Sequence, residues 1–215
     1  MGDEGLKDVD SVRILGVDIS SNLKWNSHIL GIAKAASKKL GFLSRCRKFF
    51  KSHQILQIYK SFIRPCLEYC SNVWGGAAKT KLEYLNSIQR RAIRIINNPT
   101  LTDTLDSLEH RRKVGDLSIF YRYYHNYCSK EVSSLMPSPL TFTRTTRLSS
   151  TAHKRCVQLF TAHTNDYHKD FFNRTSKLWN DLPEHVFPQT FSKESCQSFK
   201  VAVHRFHRHR YPVTK

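Results

Sequence analysis

Hydrophobic positions recur every three to four residues through most of the chain, and the longest such stripe lies in its first half. Apolar side chains fall at 55, 56, 59, 62, 63, 66, 67, 70, 73 and 74. This period of 3.6 predicts one face of a helix over about five turns. Pro65 sits in the middle of the stripe. Its missing N–H and its ring, which clashes with the preceding turn, predict a kink or short break there. The stripe resumes in phase after Pro65, so both halves are expected to face one core. Gly75-Gly76 then closes the element.

A second stripe, Ile29, Ala33, Ala36, Leu40 and Leu43, comes after Ser27, a candidate N-cap. Lys34, Lys38 and Arg45 project from the opposite side, so this helix is amphipathic with a basic outer face. Lys48, Lys51 and the pair Phe49-Phe50 fill the turn into the central helix. A third helix is predicted over roughly Thr80 to Ile96. Leu82, Leu85, Gln89, Ala92, Ile93 and Ile96 form its inner stripe, and Ser87, Arg90, Arg91 and Arg94 its outer side. Asn97-Asn98-Pro99 stops it. Thr102 or Asp103 can cap a short helix carrying Leu105 and Leu108. Arg111 to Cys128 reads as a further helix, with Val114, Leu117, Phe120, Tyr121, Tyr124 and Cys128 on its apolar side. Gly115 weakens that helix by about 1 kcal/mol of propensity.

The ends are shorter and less regular. Residues 1–11 read as a flexible leader, and Val12 to Ile19 alternates weakly around Gly16, as a short strand pair would. Pro137-Ser138-Pro139 and the Thr- and Ser-rich run from Thr141 to Thr151 mark a boundary or long linker. His153 to Asp166 is compatible with either strand or helix. Phe171 to Trp179 is a helix that ends before Pro183. Ser192 is placed to cap the last helix, with Phe191 and Cys196 as its hydrophobic staple. That helix turns Phe199, Val203 and Phe206 inward and leaves Lys200, Arg205, Arg208 and Arg210 in water. The fold class expected is therefore mostly α: a short β remnant within 1–19, a helical domain over 20–130, a linker over 131–165 and a smaller basic helical tail over 166–215.

Charge sharpens this picture. The chain of 215 residues carries a formal net charge of +18. From Ile19 to Leu67 there are ten Lys or Arg and no Asp or Glu. A basic surface attracts nucleic acid or an anionic membrane. No apolar run reaches the ~18–20 residues of a spanning helix, and the acidic start Met1-Gly2-Asp3-Glu4 has no signal-peptide character. An intracellular location, nucleus or cytoplasm, and no membrane partner are expected. Six cysteines without an export signal point to free thiols.

Other chemistries have weaker signals. Cys66 and Cys70 are spaced to share a helix face, which suits a metal, but both lie on the apolar stripe and read as core. Cys196, His204 and His207 lack the paired-cysteine spacing of a zinc knuckle. Six Cys and eleven His generate chance nucleophile pairs, and no acyl-transfer motif accompanies them. Trp25, Trp74 and Trp179 fall in buried patterns. No cofactor is expected. The basic faces carry the functional signal: Lys34, Lys38, Arg45, Lys48, Arg90, Arg91 and Arg94 are the candidate phosphate-binding residues.

Four segments resemble a known family. Tyr-Lys-x-Phe-Ile-Arg-Pro-x-Leu-Glu-Tyr-x-Ser-x-Val-Trp, from Tyr59 to Trp74, resembles the segment after the polymerase core in reverse transcriptases of jockey-like non-LTR retrotransposons, or LINE elements. Ile14-Leu15-Gly16-Val17, with Leu23 to Ile29, is similar to the family's LGV and LxWxxHI stretch. Ile88 to Arg94 is similar to its QRRAxR helix, and Phe171 to Thr175 with Leu178 to Pro183 to its FFxRTxxLWNxLP tail. The segments occur in family order across nearly the whole chain. The resemblance implies a thumb and post-core region, a helical bundle that grips template–primer or target DNA beside a retroelement polymerase core. The family's paired aspartates, which hold two Mg²⁺ ions, have no counterpart here, since no adjacent Asp-Asp occurs. The chain alone is thus expected not to polymerise. The alternative is a helical protein–protein interaction module derived from a retroelement.

Overall fold

The computed structural model describes residues 9–141, 152–161, 163–192 and 194–210. Its elements in chain order are β1 (Ser11–Ile14), β2 (Val17–Ser20), α1 (Asn26–Cys46), α2 (Ser52–Ile58), α3 (Arg64–Glu68), α4 (Ser71–Trp74), α5 (Lys79–Ile96), α6 (Pro99–Thr102), α7 (Leu108–Tyr124), α8 (Lys130–Ser133), α9 (Asn165–His168), α10 (Phe171–Asn180) and α11 (Ser195–Arg210). The fold is mostly helical with one two-stranded sheet at the N-terminal end. The chain divides into two compact units, residues 1–70 with 77–105, and residues 71–76 with 106–215.

In the first unit, β1 and β2 pair antiparallel with Ile14 opposite Val17. The two residues between them, Leu15 and Gly16, both have positive φ, which suits the tight turn of a hairpin. The weak alternation over 12–19 thus marks a real strand pair. α1 buries Ile29, Ala36, Leu40 and Leu43, as the stripe predicts. Ser27 is not its N-cap: the helix begins at Asn26, and the preceding Trp25 makes no side-chain cap. α5 buries Leu85, Ile88, Gln89, Ala92 and Ile96, and packs against α1. Tyr59, fully buried, donates its hydroxyl proton to Gln89 Oε1 at 2.8 Å, which satisfies the one polar side chain on the inner face of α5. Asn97 ends α5 in the left-handed conformation, and Asn98 accepts from the Leu101 amide to start α6.

The central element breaks where Pro65 predicts, by a definite device. Tyr59–Ile63 forms a π turn between α2 and α3. The turn widens the backbone just before the residue that lacks a donor, a known cause of kinks. Ile55, Leu56, Tyr59, Ile63 and Leu67 are buried along this stretch. Three expectations fail here. The stripe does not continue into one core, because the chain turns at Cys70, which has φ of 52°, and Ser71–Gly76 joins the second unit. Phe62 and Val73, counted in the stripe, are exposed. Cys66 and Cys70 are only half-buried. Phe62 lies within the π turn, where the 100° register of the α-helix no longer holds, and Val73 lies in a separate short helix beyond the turn at Cys70.

In the second unit α7, α10 and α11 surround a core that includes Leu117, Phe120, Tyr121, Trp179, Phe187 and Phe199. Tyr121 stacks on Phe199 at 4.3 Å between centroids, and its hydroxyl lies 2.7 Å from Ser195 Oγ. The sequence pattern places the end of the first domain at residue 130, but α7 packs with α10 and α11 and belongs here. Nor is 131–165 all linker. Pro139 bridges Val157, and Asn180 pairs with the Val157 backbone through both its amide atoms, at 2.8 and 2.9 Å. His153 Nε2 sits 2.9 Å from the Trp179 carbonyl, and the Trp179 indole donates to the Arg155 carbonyl at 2.7 Å. Polar composition suggests a linker, but this pairing places His153, Cys156 and Val157 against the core. The Thr- and Ser-rich run from 142 to 151 lies outside the described residues. Of the three tryptophans, Trp74 and Trp179 are fully buried, whereas Trp25 is half-buried.

Candidate nucleic-acid interface

All seven candidate residues lie in the first unit and all are exposed. On α1 the arrangement comes from helix geometry. Lys34, Lys38, Gly41 and Arg45 are spaced by three or four residues and so stack along one face. The buried residues Ile29, Ala36, Leu40 and Leu43 take the other face. The Arg45 guanidinium folds back along this ridge, with Nη1 3.8 Å from where a Cβ on Gly41 would stand. Lys48 comes next, in the 3-10 turn Arg47–Phe49.

α5 brings a second basic face beside the first. Arg91 Nη1 donates to Ser37 Oγ across the pair at 3.4 Å. Ser37 is one residue before Lys38 and three after Lys34, so Arg91 reaches the flank of the α1 ridge. Arg94 lies one turn further along α5. Arg90 differs from both. Its Nη2 is 2.5 Å from Glu83 Oε1. Asn86 donates to the other oxygen at 2.8 Å. These two contacts, the Asn86 bond first, hold the Glu83 carboxyl below its usual range. The outer face of α5 is therefore mixed in sign at Arg90, while α1 carries no acid at all.

Aromatic side chains join these cations, and the apolar-stripe reading missed them. Phe42, Phe49 and Phe62 are 62%, 73% and 54% exposed. Lys39 Nζ stands 4.2 Å over the Phe62 ring and Lys48 Nζ 5.1 Å over Phe49. A signal for Phe42 was present in the sequence. It lies off the Leu40 and Leu43 stripe and four residues after Lys38, hence next to it on the basic side. Such a surface offers phosphates a row of cations and offers bases π faces to stack on.

The candidate metal positions sort differently. Cys66 Sγ accepts from Lys39 Nζ at 2.9 Å, a contact that suits a thiol at a basic surface. Cys196 is half-buried. Among the described residues the one group of His, Cys, Asp or Glu that converges well enough to hold an ion is Asp106, His110 and His204, in the second unit. No described helix is long and apolar enough to cross a membrane.

No protein-family model matches the chain, and no solved structure matches it. Over 108 residues, 49% of the chain, it is 29% identical to the RNA-directed DNA polymerase from mobile element jockey of Drosophila melanogaster, and the match spans 12% of that protein. This similarity supports a region related to a retrotransposon RNA-directed DNA polymerase.

Proposed function

We propose that the chain is the thumb and post-core region of a non-LTR retrotransposon reverse transcriptase and that its first unit grips nucleic acid through backbone phosphates. The observation that carries this reading is the acid-free ridge of Lys34, Lys38 and Arg45, joined on its flank by Arg91 through Ser37. Arg94 and Lys48 extend the track. Phe42 and Phe49 stack on exposed bases where the bound strand is unpaired. Arg90 contributes less, because Glu83 neutralises it. The ligand is template–primer duplex or target DNA, and the location is intracellular, where such substrates are found.

Polymerisation belongs in this reading to a separate core. A chain without adjacent aspartates has no evident place for the paired metal ions of nucleotide transfer. Purified protein with template, primer, Mg²⁺ and dNTPs is expected to incorporate nothing.

The gripping role is tested by fluorescence-anisotropy titration of duplex and single-stranded ligands at several salt concentrations. With about five phosphate contacts, log affinity falls against log salt with a slope of about −3.5 for single strands and about −4.5 for duplex. Sequence changes in the ligand leave affinity nearly constant, since phosphate contacts carry little base information. Affinity that is absent at low salt would overturn the proposal and favour a protein-binding helical module.

A further inference from the structure

The second unit holds a cluster that the nucleic-acid reading does not use. Ser107 caps α7 by accepting from the His110 amide at 3.1 Å. The cap fixes the chain entering the helix, so Asp106 and His110, four residues apart, meet at its first turn. His204 arrives from α11. Its Nε2 is 2.8 Å from Asp106 Oδ2, and its ring meets the His110 ring edge-on with centroids 4.7 Å apart. One potential ligand atom from each of the three residues lies within 4.8 Å of the other two. His110 Nε2 is buried and finds no hydrogen-bond partner among the described residues. The other carboxylate oxygen, Asp106 Oδ1, is 3.5 Å from Arg208 Nε.

We propose that Asp106, His110 and His204 form a zinc site that ties α11 to the start of α7. Two imidazoles and one carboxylate are a donor set that suits Zn²⁺. Arg208 Nε meets the other carboxylate oxygen, Oδ1, as outer partners of metal ligands do. In a tetrahedral site the ligand atoms stand about 3.4 Å apart. Asp106 and His204 are already closer than this. No separation in the group exceeds 4.8 Å, so side-chain movement of up to about 1.5 Å closes the remainder, and the ion replaces the hydrogen bond between Asp106 and His204. The fourth position is left to water.

The test uses the whole chain, stripped with chelator and titrated with Zn²⁺ and separately with Co²⁺. The proposal predicts uptake of a single equivalent of zinc, a rise in melting temperature with added zinc, and its reversal by chelator. The cobalt form should show tetrahedral d–d bands without thiolate-to-metal charge transfer, which separates this site from adventitious binding by the six cysteines. His110→Gln and His204→Gln should each abolish the zinc-dependent rise, with circular dichroism confirming that the fold persists. No stoichiometric uptake would overturn the site, and so would a thiolate band in the cobalt spectrum. The cobalt spectrum of the unmodified chain decides the question even where a variant fails to fold.

Discussion

Cys66 shows how a single residue can carry the right pattern and the wrong environment. It falls on the apolar stripe, yet it is half-buried and accepts from Lys39 Nζ. A buried thiol replaced by serine would cost roughly 1–3 kcal/mol for the stranded hydroxyl. Here the serine hydroxyl keeps the lysine as partner, so Cys66→Ser should change the urea-unfolding free energy by less than about 0.5 kcal/mol. Asp116 is the opposite case, a charge that nothing in the spacing announced. It lies in the apolar half of α7 and is buried. Arg174 Nη2 reaches both its Oδ2, at 3.2 Å, and the Asn72 carbonyl, at 2.7 Å. Burial nevertheless outweighs Arg174 and pushes the Asp116 carboxyl up from 3.8 to about 6. The folded chain thus binds this proton more tightly than the unfolded chain. Its contribution to stability is largest below pH 4, falls as pH rises to about 6, and is flat above. The total loss is about 3 kcal/mol on this account. Asp116→Asn should remove that component, so the difference between the two proteins' stability–pH curves isolates it. Equal slopes between pH 4 and 6 would contradict the assignment.

The elements themselves were legible wherever the period of 3.6 persisted. α5 and α10 begin and end within one residue of expectation, and α7 lies three to four residues earlier than the expected 111–128, because in each an apolar stripe dominates local preference. The period could not show the π turn at Tyr59–Ile63, since one added residue shifts phase without changing composition. Glycines divide in the same manner. Gly115 lies inside α7, and a Cβ added there would meet nothing within 4 Å. Gly115→Ala should therefore stabilise the chain by about 0.5–1 kcal/mol. Gly76 looks like an ordinary helix terminator in the sequence, but a Cβ there would collide with the Lys169 carbonyl oxygen. Gly76→Ala should destabilise by more than about 1 kcal/mol, because backbone has to move. Thermal denaturation of the two variants checks both signs at once.

At the scale of the molecule, charge was readable and partition was not. The acid-free block from Ile19 to Leu67 and its exposed basic ridge on α1 come directly from residue order. The division of the chain at 70, 77 and 105 depends on contacts far apart in sequence, such as Arg174 with Asn72, and no local pattern encodes those. The aromatic part of the site was half-legible: Phe42 sits off the stripe, but Phe62 falls on the stripe and is exposed all the same, within the π turn. The proposed function places the ridge on α1 and its flank on α5 against backbone phosphates. Its most direct test replaces Lys34, Lys38, Arg91 and Arg94 together by Gln and repeats the salt titration on a duplex. Loss of four contacts should flatten the slope of log affinity against log salt by about 3–4 units. The melting temperature should stay nearly constant, since all four side chains are exposed. An unchanged slope and affinity in a variant that is still folded would contradict the account.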